Sequence, residues 1–152
     1  MGGCYTSTHK FFMSKQYFTN SAVETQKIGE MLAQEILNKQ QKEAVVIGLR
    51  GDLGGGKTTF LQGFARGLGV KENILSPTYV ILKRYGNFYH IDCYRLKDAK
   101  DISELGFEEI ISNSNNIVAI EWAERIKDVL PKNTLWIDFE FKNDNERIIT
   151  ID

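Results

Sequence analysis

Eight consecutive residues, Gly51-Asp52-Leu53-Gly54-Gly55-Gly56-Lys57-Thr58, satisfy the pattern G-x-x-x-x-G-K-[ST] at every fixed position. A nucleotide's phosphates bind against successive backbone N–H groups, and only a loop poor in side chains lets them approach so closely. The helix expected after the loop adds the positive end of its dipole. Lys57 has the reach for the β- and γ-phosphates, and the Thr58 hydroxyl is placed to ligate Mg2+. The chemistry implied is capture of a magnesium–nucleoside triphosphate.

Such a site also needs an acidic residue near the metal, usually at the carboxyl end of a neighbouring apolar strand. Three positions compete. Glu121 follows the wholly apolar run Ile117-Val118-Ala119-Ile120, the expected buried neighbour of the strand at 44–49. Asp92 follows Phe88-Tyr89-His90-Ile91, whose polar residues suit a half-exposed strand at the edge of the same site. Asp138 lies within an alternating strand and is expected on a solvated face. Glu121 therefore ranks first for the metal and Asp92 second. Two acids can also divide the work, one holding the metal and one orienting water. His90 fits either a structural histidine or a base. No Asn-Lys-x-Asp guanine reader occurs, since Asn38-Lys39-Gln40-Gln41 lacks the aspartate, and ATP is the favoured nucleotide. Arginines 50, 66, 84, 95, 125 and 147 are scattered rather than gathered in a lid. That disfavours the alternative reading, a small phosphotransferase acting on a metabolite.

The elements that must position these residues are visible in the periodicity. Ser21 and Glu24 have the spacing of a capping box, and Ile28, Met31, Leu32 and Ile36 recur at helical intervals, predicting a helix over 21–38. Residues 44–49 read as a strand buried on both faces. After the glycine loop, Phe60, Leu61, Phe64, Ala65 and Leu68 predict a helix closed by Gly67 and Gly69. Residues 79–85 and 88–92 predict a hairpin around Gly86-Asn87, and Asp101 to Glu104 a cap for one short helix through Ile111. A strand at 117–120, a short helix at 123–130 stopped by Pro131, and a hairpin of 134–141 with 147–151 complete the chain. The fold expected is α/β: a mixed sheet of the P-loop NTPase type, parallel at its centre, with antiparallel hairpins and helices on both faces.

Composition sets the outer bounds. The chain has 152 residues, one domain's worth, and 42% of them are hydrophobic, which excludes a disordered chain. Its net charge of −1 provides no field for nucleic acid or anionic membrane as a sole partner. Two cysteines cannot build a disulfide scaffold or a cysteine-rich zinc site, and no apolar run approaches a membrane span; a cytoplasmic protein is expected. Residues 1–12 have no periodicity and are expected to be a non-native or disordered extension, with 13–152 forming a single P-loop ATPase domain. Met1-Gly2-Gly3-Cys4 formally matches a myristoylation signal, a pattern too loose to outweigh that reading.

Four segments taken together resemble the TsaE family, the bacterial P-loop ATPases of tRNA threonylcarbamoyladenosine biosynthesis. They are the loop through Thr59-Phe60, then Ser76-Pro77-Thr78-Tyr79, then His90-Ile91-Asp92-Cys93-Tyr94-Arg95-Leu96, then Glu121-Trp122-Ala123-Glu124-Arg125. The resemblance runs from about residue 14 onward; Gly55, where the family more often has alanine, departs from it. It implies weak ATP hydrolysis in the service of TsaB and TsaD. Those proteins transfer threonylcarbamoyl to the adenosine beside the anticodon of tRNAs reading codons that begin with A, so tRNA itself would be touched only indirectly or weakly. By matching positions it implies that Asp52, Leu53, Gly54, Gly55, Gly56, Lys57, Thr58 and Thr59 cradle the nucleotide. Likewise Thr58 and Glu121 would hold magnesium, Asp92 would be required for hydrolysis, Thr78 would sit in a switch-like loop, and Trp122 would lie beside the nucleotide.

Overall fold

A computed structural model describes residues 14–52, 54, 56–74 and 81–152. Seven strands form one sheet: β1 (Lys15–Thr19), β2 (Val45–Arg50), β3 (Leu82–Tyr85), β4 (Phe88–Asp92), β5 (Ile117–Glu121), β6 (Leu135–Phe141) and β7 (Arg147–Ile151). Their order is β1-β7-β6-β2-β5-β4-β3. The inner four, β6, β2, β5 and β4, are mutually parallel, while β7, β1 and β3 add antiparallel edges. All four inner strands therefore deliver their carboxyl ends to one edge of the sheet, where a doubly wound fold gathers its chemistry.

Helices cover both faces. On one, α1 (Ala22–Leu37) and α2 (Lys57–Gly67) lie over a layer in which Leu32, Ile36, Phe60 and Phe64 meet Ile47, Leu49 and Phe139. Ser21 caps α1 as expected, its hydroxyl accepting from the Glu24 N–H, but the Glu24 carboxylate accepts from the Asn20 N–H rather than from that of the cap residue. The two helices cross backbone to backbone. A Cβ on Gly63 would lie 2.0 Å from the Gln26 carbonyl oxygen, and one on Gly29 would lie 2.3 Å from that of Phe60. Glycine at both positions is what lets α1 and α2 approach this closely.

The other face is covered by α3 (Lys100–Ser103), α4 (Phe107–Ile111) and a 3-10 helix (Ala123–Val129), packed on Val46, Val118, Ile120 and Ile91. Three expectations need correction here. The single helix predicted through Ile111 is two, because Gly106 takes φ 80 between them. Asp101 does not cap it; its carboxylate accepts from the N–H groups of Lys97 and Asp98 in the preceding turn. And β4 is not half-exposed: Phe88, Tyr89, His90 and Ile91 are all buried, with β3 beyond it in the sheet. The hairpin at Gly86-Asn87 forms, its first strand being described from Leu82; residues 79 and 80 lie outside the described residues. The edge strand β1 has no counterpart in the sequence reading.

Candidate functional site

Strand β2 ends at Arg50, and the chain crosses to α2 through residues 51–56. Gly54 and Gly56 hold φ of 79° and 102°, conformations that a side chain would strain, so the glycines serve the path of this loop directly. Lys57 opens α2, and its side chain turns back under the loop. Only 5% of the residue is exposed, and Nζ donates to the Gly51 carbonyl at 2.5 Å and to that of Asp52 at 2.9 Å. It also sits 4.7 Å from the centre of the Trp122 ring. Burial lowers its pKa from the usual lysine value, while Glu121, Glu124, Asp52 and Asp92 pull the other way. Thr58 and Thr59 follow in the first turn, half buried. Helix geometry leaves the leading N–H groups of that turn without intrahelical acceptors.

The carboxylates arrive from the adjoining strands. Leu49 of β2 is in register with Glu121 of β5, and Glu121 with Asp92 of β4. Glu121 is only 3% exposed, and its Oε2 lies 2.8 Å from Nε2 of the fully buried His90. Asp92 is half buried, and one of its oxygens accepts from the Tyr94 N–H at 2.9 Å. Burial pushes the Asp92 carboxyl above the usual aspartate value, Glu121 adding to the shift and the Tyr94 N–H opposing it. Trp122 has φ 58 and ψ 37, the one left-handed non-glycine residue among the described residues. That conformation turns the chain sharply off β5 and brings the indole over Lys57, with Tyr94 at 5.1 Å between ring centres.

Asp52, Gly54, Gly56, Lys57, Thr58, Thr59, Asp92, Glu121 and Trp122 thus gather at the carboxyl edge of β2, β5 and β4. Leu53, Gly55 and Thr78 lie outside the described residues. Asp138 lies on a solvated face as expected, its side chain 41% exposed, and makes a two-pronged ion pair with Arg50 at 2.6 and 3.1 Å. Cys93 is a buried free thiol, its pKa pushed up to about 12 by burial, which suits packing and not nucleophilic chemistry. Sequence reasoning missed Arg147, whose side chain would be 3.7 Å from a Cβ on Gly56. It also missed the pairing of His90 with Glu121; neither contact has a signature in linear spacing.

The donors available to a metal are hard oxygens: the Thr58 hydroxyl and the carboxylates of Glu121 and Asp92. No cluster of three His, Cys, Asp or Glu side chains able to hold an ion by themselves exists among the described residues. That set fits Mg2+, which takes one or two carboxylates and completes its shell with phosphate and water. Among the described residues no helix is long and apolar enough to cross a membrane.

A parallel-centred α/β domain, with a glycine loop entering a helix and two acids on the adjoining strands, defines the class. The chain belongs to the TsaE family: the family described as threonylcarbamoyl adenosine biosynthesis protein TsaE matches residues 19–149. Similar relatives include the tRNA threonylcarbamoyladenosine biosynthesis protein TsaE of Rickettsia felis, 39% identical and aligned over 87% of this chain and 76% of its own. The protein of the same name from Bacillus subtilis is 41% identical over 72% of this chain and 70% of its own. The crystal structure of YdiB from Bacillus subtilis superposes with a TM-score of 0.74 at 32% identity, covering 91% of this chain and 84% of that one.

Proposed function

We propose that this chain binds ATP with Mg2+, hydrolyses it weakly, and serves threonylcarbamoylation of the adenosine next to the anticodon in tRNAs reading codons that begin with A, acting on the TsaB–TsaD complex in the cytoplasm. The observation that carries the nucleotide reading is Lys57: a nearly buried ammonium at the start of α2, under a glycine loop and facing Glu121 and Asp92. Burying a lysine is costly unless its charge is used.

In this reading the loop N–H groups and the amino end of α2 bind the phosphates. Lys57 exchanges the Gly51 and Asp52 carbonyls for the β- and γ-phosphate oxygens. Thr58 and Glu121 hold Mg2+, which when bound neutralises phosphate charge. Asp92, one residue pair across the sheet from Glu121, orients water toward the terminal phosphate and accepts its proton; the upward shift of its carboxyl makes it the stronger base. Trp122 walls the site beside Lys57. A net charge of −1 supplies no overall positive field for tRNA, which in this reading is met indirectly or weakly.

The test is phosphate release from ATP by the pure protein, alone and with a TsaB–TsaD preparation. Slow release alone and faster release with the partners is expected. Release that the partners leave unchanged would refute the coupling, and absence of ATP binding would refute the site.

A further inference from the structure

His90 stands where the fold has no use for a polar side chain. Along β4 it shares with Phe88 the face covered by α1 and α2, and it registers with Ala119 of β5 in the same apolar layer. It is fully buried. Its Nε2 has one partner, Oε2 of Glu121, and its Nδ1 has none: Nδ1 is the only wholly buried side-chain nitrogen or oxygen without a hydrogen bond among the described residues. A histidine kept for stability would have both ring nitrogens satisfied, because an unpaired buried polar atom costs on the order of 1–3 kcal/mol. An apolar residue of similar volume would suit the layer better.

The geometry points to a positioning role: His90 orients the Glu121 carboxylate toward the magnesium of the bound nucleotide, by donating Nε2–H to Oε2 and leaving Oε1 for the metal side. An ionised carboxylate only accepts, so the proton of this contact belongs to the histidine. Oε1 makes no hydrogen bond among the described residues. The ring itself is clamped in the sheet layer, so the carboxylate is held by a rigid donor and not by a mobile side chain. Partners of this kind, one step behind a ligand, typically change metal affinity by about 10–100-fold when removed. The sequence carries the same relation, with His90 two residues before Asp92 on one strand and Glu121 ending the next, so that a single register places all three.

The inference rests on the magnesium–ATP reading, and the experiment separates the two. Calorimetric titration with ATP, in magnesium and in EDTA, is made on the full chain and on His90→Phe and His90→Gln. Phenylalanine keeps the volume and removes the donor; glutamine restores an N–H near the Nε2 position. Wild type should bind more tightly with magnesium. His90→Phe should lose about tenfold or more of that magnesium-dependent gain, with affinity in EDTA unchanged, and His90→Gln should recover most of it. A full magnesium gain in folded His90→Phe overturns the inference. Magnesium-independent binding by wild type overturns the metal reading itself, and is seen before any variant is made. Where His90→Phe does not fold, nitrogen NMR of wild type decides: the inference requires the ring hydrogen on Nε2, and a bare Nε2 overturns it.

Discussion

Gly63→Ala sets two known effects against each other. In a helix interior this change ordinarily stabilises by about 0.8–1 kcal/mol, through backbone propensity alone. Here the added methyl would lie 2.0 Å from the Gln26 carbonyl oxygen and 2.6 Å from that residue's carbonyl carbon and Cα, all of them backbone atoms that cannot rotate away. Ordinary contact between such atoms needs about 3.5 Å, so α1 and α2 must part by roughly 1 Å or more. A gap of that size forfeits a quarter to a half of the attraction across the layer joining Leu32 and Ile36 to Phe60 and Phe64. Overpacking costs about 1–3 kcal/mol, and a 2.0 Å approach to fixed backbone belongs in the upper part of that range, about 2–3 kcal/mol, which outweighs the propensity gain. A net loss of about 1–2 kcal/mol corresponds to a fall in Tm of roughly 2–8 °C for a domain of this size. Thermal unfolding followed by circular dichroism measures it, and Gly29→Ala should behave alike. The double variant should lose less than the sum, since helices already parted admit the second methyl cheaply. A Tm for Gly63→Ala equal to or above that of wild type would refute the close crossing.

Lys57→Ala should remove most ATP affinity while leaving the fold intact; unchanged affinity by calorimetry would contradict the loop assignment. Asp92→Asn should retain ATP binding and lose phosphate release, whereas Glu121→Gln should weaken magnesium-dependent binding; the reverse pattern would exchange the roles of the two acids. Because the folded protein raises the Asp92 carboxyl above its unfolded value, ionising it destabilises the fold. That penalty is absent below the unfolded aspartate pKa and grows as pH rises through the folded one, so Asp92→Asn should melt higher than wild type near pH 7, with the gap closing toward pH 3–4. Equal melting curves at both ends would count against that burial. In a Trp136→Phe background, Trp122 emission should change on ATP binding, given its ring 4.7 Å from the Lys57 ammonium; an unresponsive signal would place the indole outside the site.

The parts of the site legible in the sequence are those carried by local pattern. An apolar run, a glycine loop and an amphipathic helix follow one another at residues 45–67, and the start of α1 at Ser21 and the end of α2 before the left-handed Gly69 are marked by ordinary capping chemistry. Glu121 was readable as the end of a buried strand because nothing polar interrupts residues 117–120. Strand β4 misled for the opposite reason. His90 and Asp92 look like a wet face, yet one is paired with a carboxylate across the sheet and the other lies at the strand's functional end. Contacts between residues far apart in the chain, such as Arg50 with Asp138 or Arg147 beside Gly56, depend on strand order, which no local period encodes. Edge strand β1 escaped because Tyr17 and Phe18 are adjacent and break the alternation a strand is recognised by. Gly106 breaks the helix at 100–111 although the residues on both sides of it favour helix.

Strand β1 has a consequence for how the domain can be joined to other things. Lys15 is in register with Ile151, and the Ser14 hydroxyl donates to the Asp152 carboxylate at 2.7 Å, so the two ends of the described domain lie side by side. Both leave from the edge where the parallel strands begin, whereas the glycine loop, Asp92 and Glu121 occupy the edge where those strands finish. A fluorophore, an immobilising tag or a fused domain attached before Ser14 or after Asp152 would therefore project from the far side of the sheet. Ser14 and Asp152 are also close enough for a short linker to join residues 14–152 into a ring, with new ends opened at an exposed turn elsewhere.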